Sequence, residues 1–154
     1  MLPTPLANLP RPVRVWCLTF LLFSAMPSAL FAADLQISDA RIRLLPGDIP
    51  AAGYVTLTNV GENDTTLIGA ESAAFDDVSI HQSVSQDEVA SMQHVDQLTV
   101  AAGEQVKLAP GGYHLMLMKR KHPIDVGDEI EITLLLRNGQ QQNAKFHAGA
   151  PTTQ

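Results

Sequence analysis

From Asp34 to Phe146 the chain runs in short segments in which apolar and polar residues alternate, cut by clusters of Gly, Pro, Asn and Asp, and no long stretch keeps a helical period. The pattern predicts strands over 35–44, 52–60, 65–71, 77–84, 89–95, 105–108, 113–118, 129–137 and 142–146. Reversals are expected at Gly61-Glu62-Asn63-Asp64, Pro110-Gly111-Gly112, Gly127-Asp128 and Asn138-Gly139, where residues tolerant of turn conformations gather; Asn138-Gly139 is the clearest hairpin signal. Segments 46–51 and 148–154 read as a loop and a tail, and Asp76-Asp77 reads as a turn. Many short strands in so small a chain predict an all-β fold, a Greek-key β-sandwich rather than strands alternating with helices. There are no internal repeats or low-complexity blocks.

The first 32 residues differ from the rest. They carry Arg11 and Arg14 but no acid, then an apolar run from Val13 to Met26, then Pro27, Ser28 and small residues at Ala32 and Ala33. This is the plan of a secretory signal peptide, and the run is shorter than the roughly 20 apolar residues a membrane-spanning helix needs. The expected organisation is a leader over 1–32, one β domain over 33–147 and a tail over 148–154, with no membrane anchor after cleavage.

Removing the leader changes the chemistry available. Cys17 is the only cysteine and lies inside the apolar run, behind a bulky Trp16 unlike the small residue that precedes a lipoprotein cysteine. The mature chain therefore lacks thiolate metal ligands, thiol nucleophiles and disulfides. All 16 acidic residues follow the leader, against eight of the ten basic ones, so the mature net charge is about −8. An acidic exported chain is a poor nucleic-acid binder.

Within Tyr113-His114-Leu115-Met116-Leu117-Met118 the alternation is strict. On a strand, Tyr113, Leu115 and Leu117 form a core stripe, while His114, Met116 and Met118 share the opposite face. The mature chain has only three methionines, and two of them stand beside His114 on this face; the third, Met92, follows His81 by 11 residues on another predicted strand. Neutral, soft thioether sulfur combined with imidazole favours Cu(I) over Zn, Mg or Ca. A neutral site of exchangeable ligands suits a carrier.

The pattern His81-x10-Met92-x21-His114-x-Met116 resembles the periplasmic PCu(A)C copper chaperones in residue types and in all three spacings. The flanking Ala52-Gly53-Tyr54-Val55-Thr56-Leu57-Thr58-Asn59 and Pro110-Gly111-Gly112-Tyr113 agree, and the resemblance spans about 35–146. It implies a cupredoxin-like sandwich holding one Cu(I) through His81, Met92, His114 and Met116. It further implies delivery of copper to an accepting protein such as a cytochrome oxidase copper subunit or its assembly factor, by a protein expected to be monomeric. Gln82 after His81 departs from many relatives, and the tail lacks the His- and Met-rich extension of some members.

Other residues are read more plainly. Met118 is expected to pack or shield, His94 to share a face with Met92 in at most an auxiliary role, and His122 and His147 to lie outside the site. Lys119-Arg120-Lys121 reads as a solvated strand end. A blue-copper electron carrier needs a cysteine thiolate that the mature chain lacks. Enzymatic signatures are absent: no nucleophile elbow, no phosphate-binding Gly-rich loop, no carboxylate-rich metal cluster. The remaining alternatives are a copper buffer and a metal-free adhesive or assembly sandwich.

Overall fold

The computed structural model describes residues 34–47, 49–86 and 89–150, so the leader and Cys17 lie outside the described residues. Ten strands follow one another: β1 (Leu35–Arg43), β2 (Ala51–Asn59), β3 (Thr65–Glu71), β4 (Phe75–Gln86), β5 (Val89–His94), β6 (Leu98–Val100), β7 (Gln105–Leu108), β8 (Tyr113–Arg120), β9 (Glu129–Leu136) and β10 (Gln141–Gly149). All nine strands read from the sequence are present, and no helix occurs among the described residues.

The strands pair in the order β5-β4-β8-β2-β1-β10-β9-β3-β6, with β7 on β2. Every pairing is antiparallel except that of β1 with β10. Neighbours this far apart in sequence are the signature of Greek-key connection. The sheet curls about one apolar cluster. Leu57 of β2, Phe75 and Ile80 of β4, Leu115 and Leu117 of β8, Ile132 and Leu134 of β9 and Phe146 of β10 are at most 1% exposed within it. Period-two alternation explains the choice: in Glu129–Leu136 the even-numbered residues are buried and the odd-numbered ones are exposed or half-buried.

The structure corrects the sequence reading at four places. A tenth strand, β6, pairs with β3 at one sheet edge; its three residues are too short to show a period. β2 begins at Ala51 and β10 runs to Gly149, two residues into the predicted tail, because β1 offers Arg43 as a parallel partner there. Asp76 and Asp77 form no turn but lie within β4, with Asp77 opposite Met118. In the basic run, only Arg120 departs from a solvated strand end, donating from Nη2 to the Leu45 carbonyl at 2.7 Å; Lys119 and Lys121 are exposed, Lys121 lying 3.8 Å from Asp76.

Two features fix the frame around β2. Gly53 lies opposite Leu115, and a Cβ there would meet the Leu115 Cβ at 3.1 Å, so a side chain would push β8 away. At the far end of β2, Asn59 is wholly buried. Its Nδ2 donates to the Asn63 and Val100 carbonyls at 2.8 and 2.9 Å, and its Oδ1 accepts from Gly61 N–H at 3.0 Å. One amide thus ties the predicted Gly61–Asp64 turn to β6.

Candidate metal centre

Strand β4 lies between β5 and β8, and its register decides what meets. His81 stands opposite His114 of β8 on one side and His94 of β5 on the other. Ser83 faces Met92, Ser79 faces Met116, and Asp77 faces Met118. Directly opposed residues in an antiparallel pair share a face, so His81, Met92, His94, His114, Met116 and Met118 all project from one side of this three-stranded region. The other side carries Val78, Ile80, Leu115 and Leu117 into the core.

All four residues of the motif are therefore brought together, with His81 at the centre, His114 directly opposite and the two methionines on its diagonals. The sequence spacings are those of the fold. His81 and Met92 straddle the β4–β5 reversal in near-register, while the long interval to His114 is the excursion through β6 and β7 before the chain returns beside β4.

The hydrogen bonds prepare the two histidines. His114 is 5% exposed, and its Nδ1 lies 3.2 Å from the Gly112 carbonyl, which also accepts from Ser83 N–H at 3.0 Å. A carbonyl only accepts, so Nδ1 carries the proton and Nε2 keeps a free lone pair. The Nε2 of His81 lies 3.2 Å from Ser79 Oγ, which lies 3.4 Å from Asp77 Oδ2. With the hydroxyl donating to the carboxylate, Ser79 accepts from His81 Nε2–H, and Nδ1 is left free. The two nitrogens so freed, His81 Nδ1 and His114 Nε2, are buried and have no hydrogen-bond partner. Buried polar atoms are normally paired, and an imidazole whose second nitrogen is anchored by a carbonyl or a carboxylate relay is the usual form of a metal ligand.

The His81 pKa is lowered from its ordinary value of 6.5, first by burial, which penalises the charged ring, and then by repulsion from His94 and His114; Asp77 pulls the other way. The ring is therefore held neutral, as a ligand must be. The centroids of His81 and His114 are 6.1 Å apart, and those of His81 and His94 are 5.3 Å apart.

Met92 is 61% exposed on edge strand β5, none of whose side chains from Ala90 to His94 lies in the buried core. Core packing, the ordinary role of a strand methionine, does not account for it. Met116 is half-buried beside the histidines, opposite Ala52 of β2. Among the described residues no three His, Cys, Asp or Glu side chains converge to hold a metal ion; the soft donors that share this face with the histidines are the methionine sulfurs.

Met118 is half-buried at the Asp77 end of the same face, and His94 shares the face of Met92. His122 and His147 are elsewhere: His122 bonds the neighbouring Pro123 carbonyl, and His147 stands on β10, 3.7 Å from Glu129. Sequence reading missed Ser79, Asp77 and the Gly112 carbonyl. The first two were legible as an alternation, since Asp77, Ser79 and His81 fall on one face of any strand that contains them.

The family model described as "Putative lipoprotein LpqE-like" matches residues 35–148. A protein of Leifsonia xyli subsp. xyli named "Putative lipoprotein Lxx21020" is 31% identical over 124 residues, covering 80% of this chain and 74% of its own length. The copper-bound PCuAC domain from PmoF2 is similar at a TM-score of 0.65 and 25% identity, over 77% of this chain and 94% of that one. The solution structure of CuI-DR1885 from Deinococcus radiodurans is similar at a TM-score of 0.58 and 30% identity, over 71% and 74%. With the family match spanning nearly every described residue and the sandwich shared with solved PCuAC domains, this chain belongs to the LpqE-like family, and its folded unit is a cupredoxin-like PCuAC domain.

Proposed function

We propose that this protein carries one Cu(I), bound by His81 Nδ1, His114 Nε2 and the sulfurs of Met92 and Met116, and hands it to a copper-accepting protein without catalysing a reaction. The observation that carries the reading is the pair of buried, unpartnered imidazole nitrogens on one face with two methionines, one of them exposed and outside the core. Two neutral nitrogens and two soft sulfurs suit a monovalent soft ion. Similar domains, that from PmoF2 and DR1885, are described with copper and Cu(I) respectively.

The arrangement also suggests how the cargo leaves. The histidines are anchored on β4 and β8, whereas Met92 rides on an exposed edge where an incoming ligand can replace it. Copper then passes by stepwise ligand exchange, and the acceptor proposed is the copper subunit of cytochrome c oxidase or its assembly factor. The carrier is proposed to act as a monomer in the periplasm, exported by the leader over 1–32 and unanchored after cleavage. The name of the Leifsonia relative includes "lipoprotein", but here Cys17 follows a bulky Trp16.

Mixing the Cu(I)-loaded protein anaerobically with an apo oxidase copper domain, and separating the two, tests the carrier role. Stoichiometric movement of copper to that domain, and not to an unrelated apo copper site of similar affinity, is expected. Equal partition between both acceptors would instead identify a copper buffer.

A further inference from the structure

A cavity of about 200 Å³ opens beside β1, outside the metal centre, and is lined by Arg41, Arg43, Tyr54, Pro110, Gly149 and Ala150, none of them acidic. Arg41 and Arg43 lie two residues apart on one strand, so both side chains leave the same face, roughly 7 Å apart at the backbone. Arg41 stands opposite Tyr54, and its guanidinium carbon lies 5.5 Å from the centroid of that ring, a cation–π contact that restrains the planar fork. Arg43 is half-buried, and its Nε is buried without a hydrogen-bond partner. Among the described residues neither arginine forms an ion pair. Asp39 of the same strand instead accepts from Thr56 Oγ1 at 3.4 Å, and Glu129, two strands away, pairs with Lys145 and His147. Two neighbouring like charges and an unsatisfied buried donor make a costly arrangement, which a bound anion relieves.

The donor geometry selects the anion. A guanidinium fork pairs with a planar carboxylate through two parallel hydrogen bonds. The cavity is smaller than the roughly 300 Å³ at which small-molecule pockets begin, so it takes a single acid group and not a whole metabolite. Its position indicates whose acid that is. Arg43 stands opposite Ala52, and Ala52 stands opposite Met116, so the pocket and the copper face look out from the same side of the sheet, one strand between them and about 10 Å apart. Pro110 belongs to the turn whose Gly112 carbonyl anchors His114. Resting on the copper-carrier function proposed above, we propose that this pocket is a carboxylate-binding anchor, which seats an acidic side chain of the copper-accepting protein and so places that protein over Met116. With eight basic against 16 acidic residues in the mature chain, an anion is repelled on average, so a local basic pocket fixes the orientation of docking more than its strength.

The probe is a terminally blocked tripeptide with a central glutamate, titrated into the metal-free protein and followed by the chemical shifts of its backbone amides; the same peptide with glutamine, and inorganic phosphate, are the controls. Saturable shifts centred on Arg41, Arg43 and Tyr54 are expected with the glutamate peptide, weakening as salt is added. Arg41→Gln and Arg43→Gln should each weaken binding roughly tenfold or more, the worth of one charge-assisted hydrogen bond, with the spread of the spectrum showing that each variant is folded. Arg43→Lys, which keeps the charge and loses the fork, should weaken it as well. Both glutamine variants should bind Cu(I) as the wild type does, yet Cu(I)-loaded Arg43→Gln should deliver copper to the apo oxidase copper domain roughly tenfold more slowly. No saturable shift at the pocket, binding untouched by either glutamine substitution, or equal binding of the glutamine peptide or of phosphate would overturn the carboxylate site. An unchanged transfer rate would overturn the docking role and leave a site for a free small carboxylate. A wild type that binds the peptide but not Cu(I) would overturn the proposed copper function alone.

Discussion

At the scale of single residues, the centre depends on which nitrogen of each histidine is left over. Ser79 settles this for His81, and its Oγ is irreplaceable by a methyl group of similar size. Ser79→Ala should lower Cu(I) affinity by roughly tenfold, in the range found for groups that orient a ligand. The denaturant midpoint should stay close to wild type, because the hydroxyl sits on the solvent-facing side of β4; an unchanged affinity would remove Ser79 and Asp77 from the account. His81 itself makes folding pH-dependent. Above its ordinary value of 6.5 the ring is neutral both folded and unfolded and contributes no slope. Below 6.5 the unfolded chain takes up a proton that the fold resists, so stability falls as the pH falls. The metal-free protein should therefore lose stability between neutral and acid pH more steeply than a His81→Gln variant, as followed by urea denaturation at stepped pH. Parallel profiles would contradict the assigned burial of that ring. Asn59 bears on stability alone: Asn59→Ala strands two carbonyls and an amide, and should cost about 1–3 kcal/mol with Cu(I) binding kept.

Among the elements, β5 stands apart. It lies at one end of the sheet order, carries Met92 and His94, and is attached by its ladder to β4 and by the half-buried Val95 that follows it. Strands with few buried contacts open locally at little cost. In amide hydrogen exchange, β5 should be the less protected neighbour of β4 in the metal-free protein and should gain protection on Cu(I) binding, when Met92 joins it to β8 through the metal. Strand β8 is the opposite case, since Leu117 is fully buried. Leu117→Ala should cost about 2–5 kcal/mol in chemical denaturation.

The contrast between these strands also explains what could be read beforehand. Strict alternation in 113–118 separated the core stripe of β8 from the face that carries His114 and Met116, and the spacing among His81, Met92 and His114 marked them as candidates that the strand registers bring to that same face. Strand β6 was illegible because three residues carry no period. Asp76-Asp77 was misread because an acidic pair imitates a turn, whereas the flanking Phe75 and Val78 hold it in β4. The relay from Asp77 to His81 lies wholly within the expected strand 77–84 and was overlooked because Asp77 was assigned to a turn with Asp76.

For the molecule as a whole, the metal chemistry proposed for the acidic sandwich is confined to one three-stranded face at the β5 end of its strand order. Its family membership rests on the full length of the domain, while the assignment of cargo rests on four side chains. The cargo is the central claim, and the most direct measurement is an anaerobic Cu(I) titration against a competing chromophoric chelator, for the wild type and for the Met92→Ala, Met116→Ala double variant. One tight equivalent in the wild type, lost in the double variant while its β fold persists by circular dichroism, is the predicted result. No tight binding in the wild type, or binding untouched by removal of both thioethers, would contradict the account.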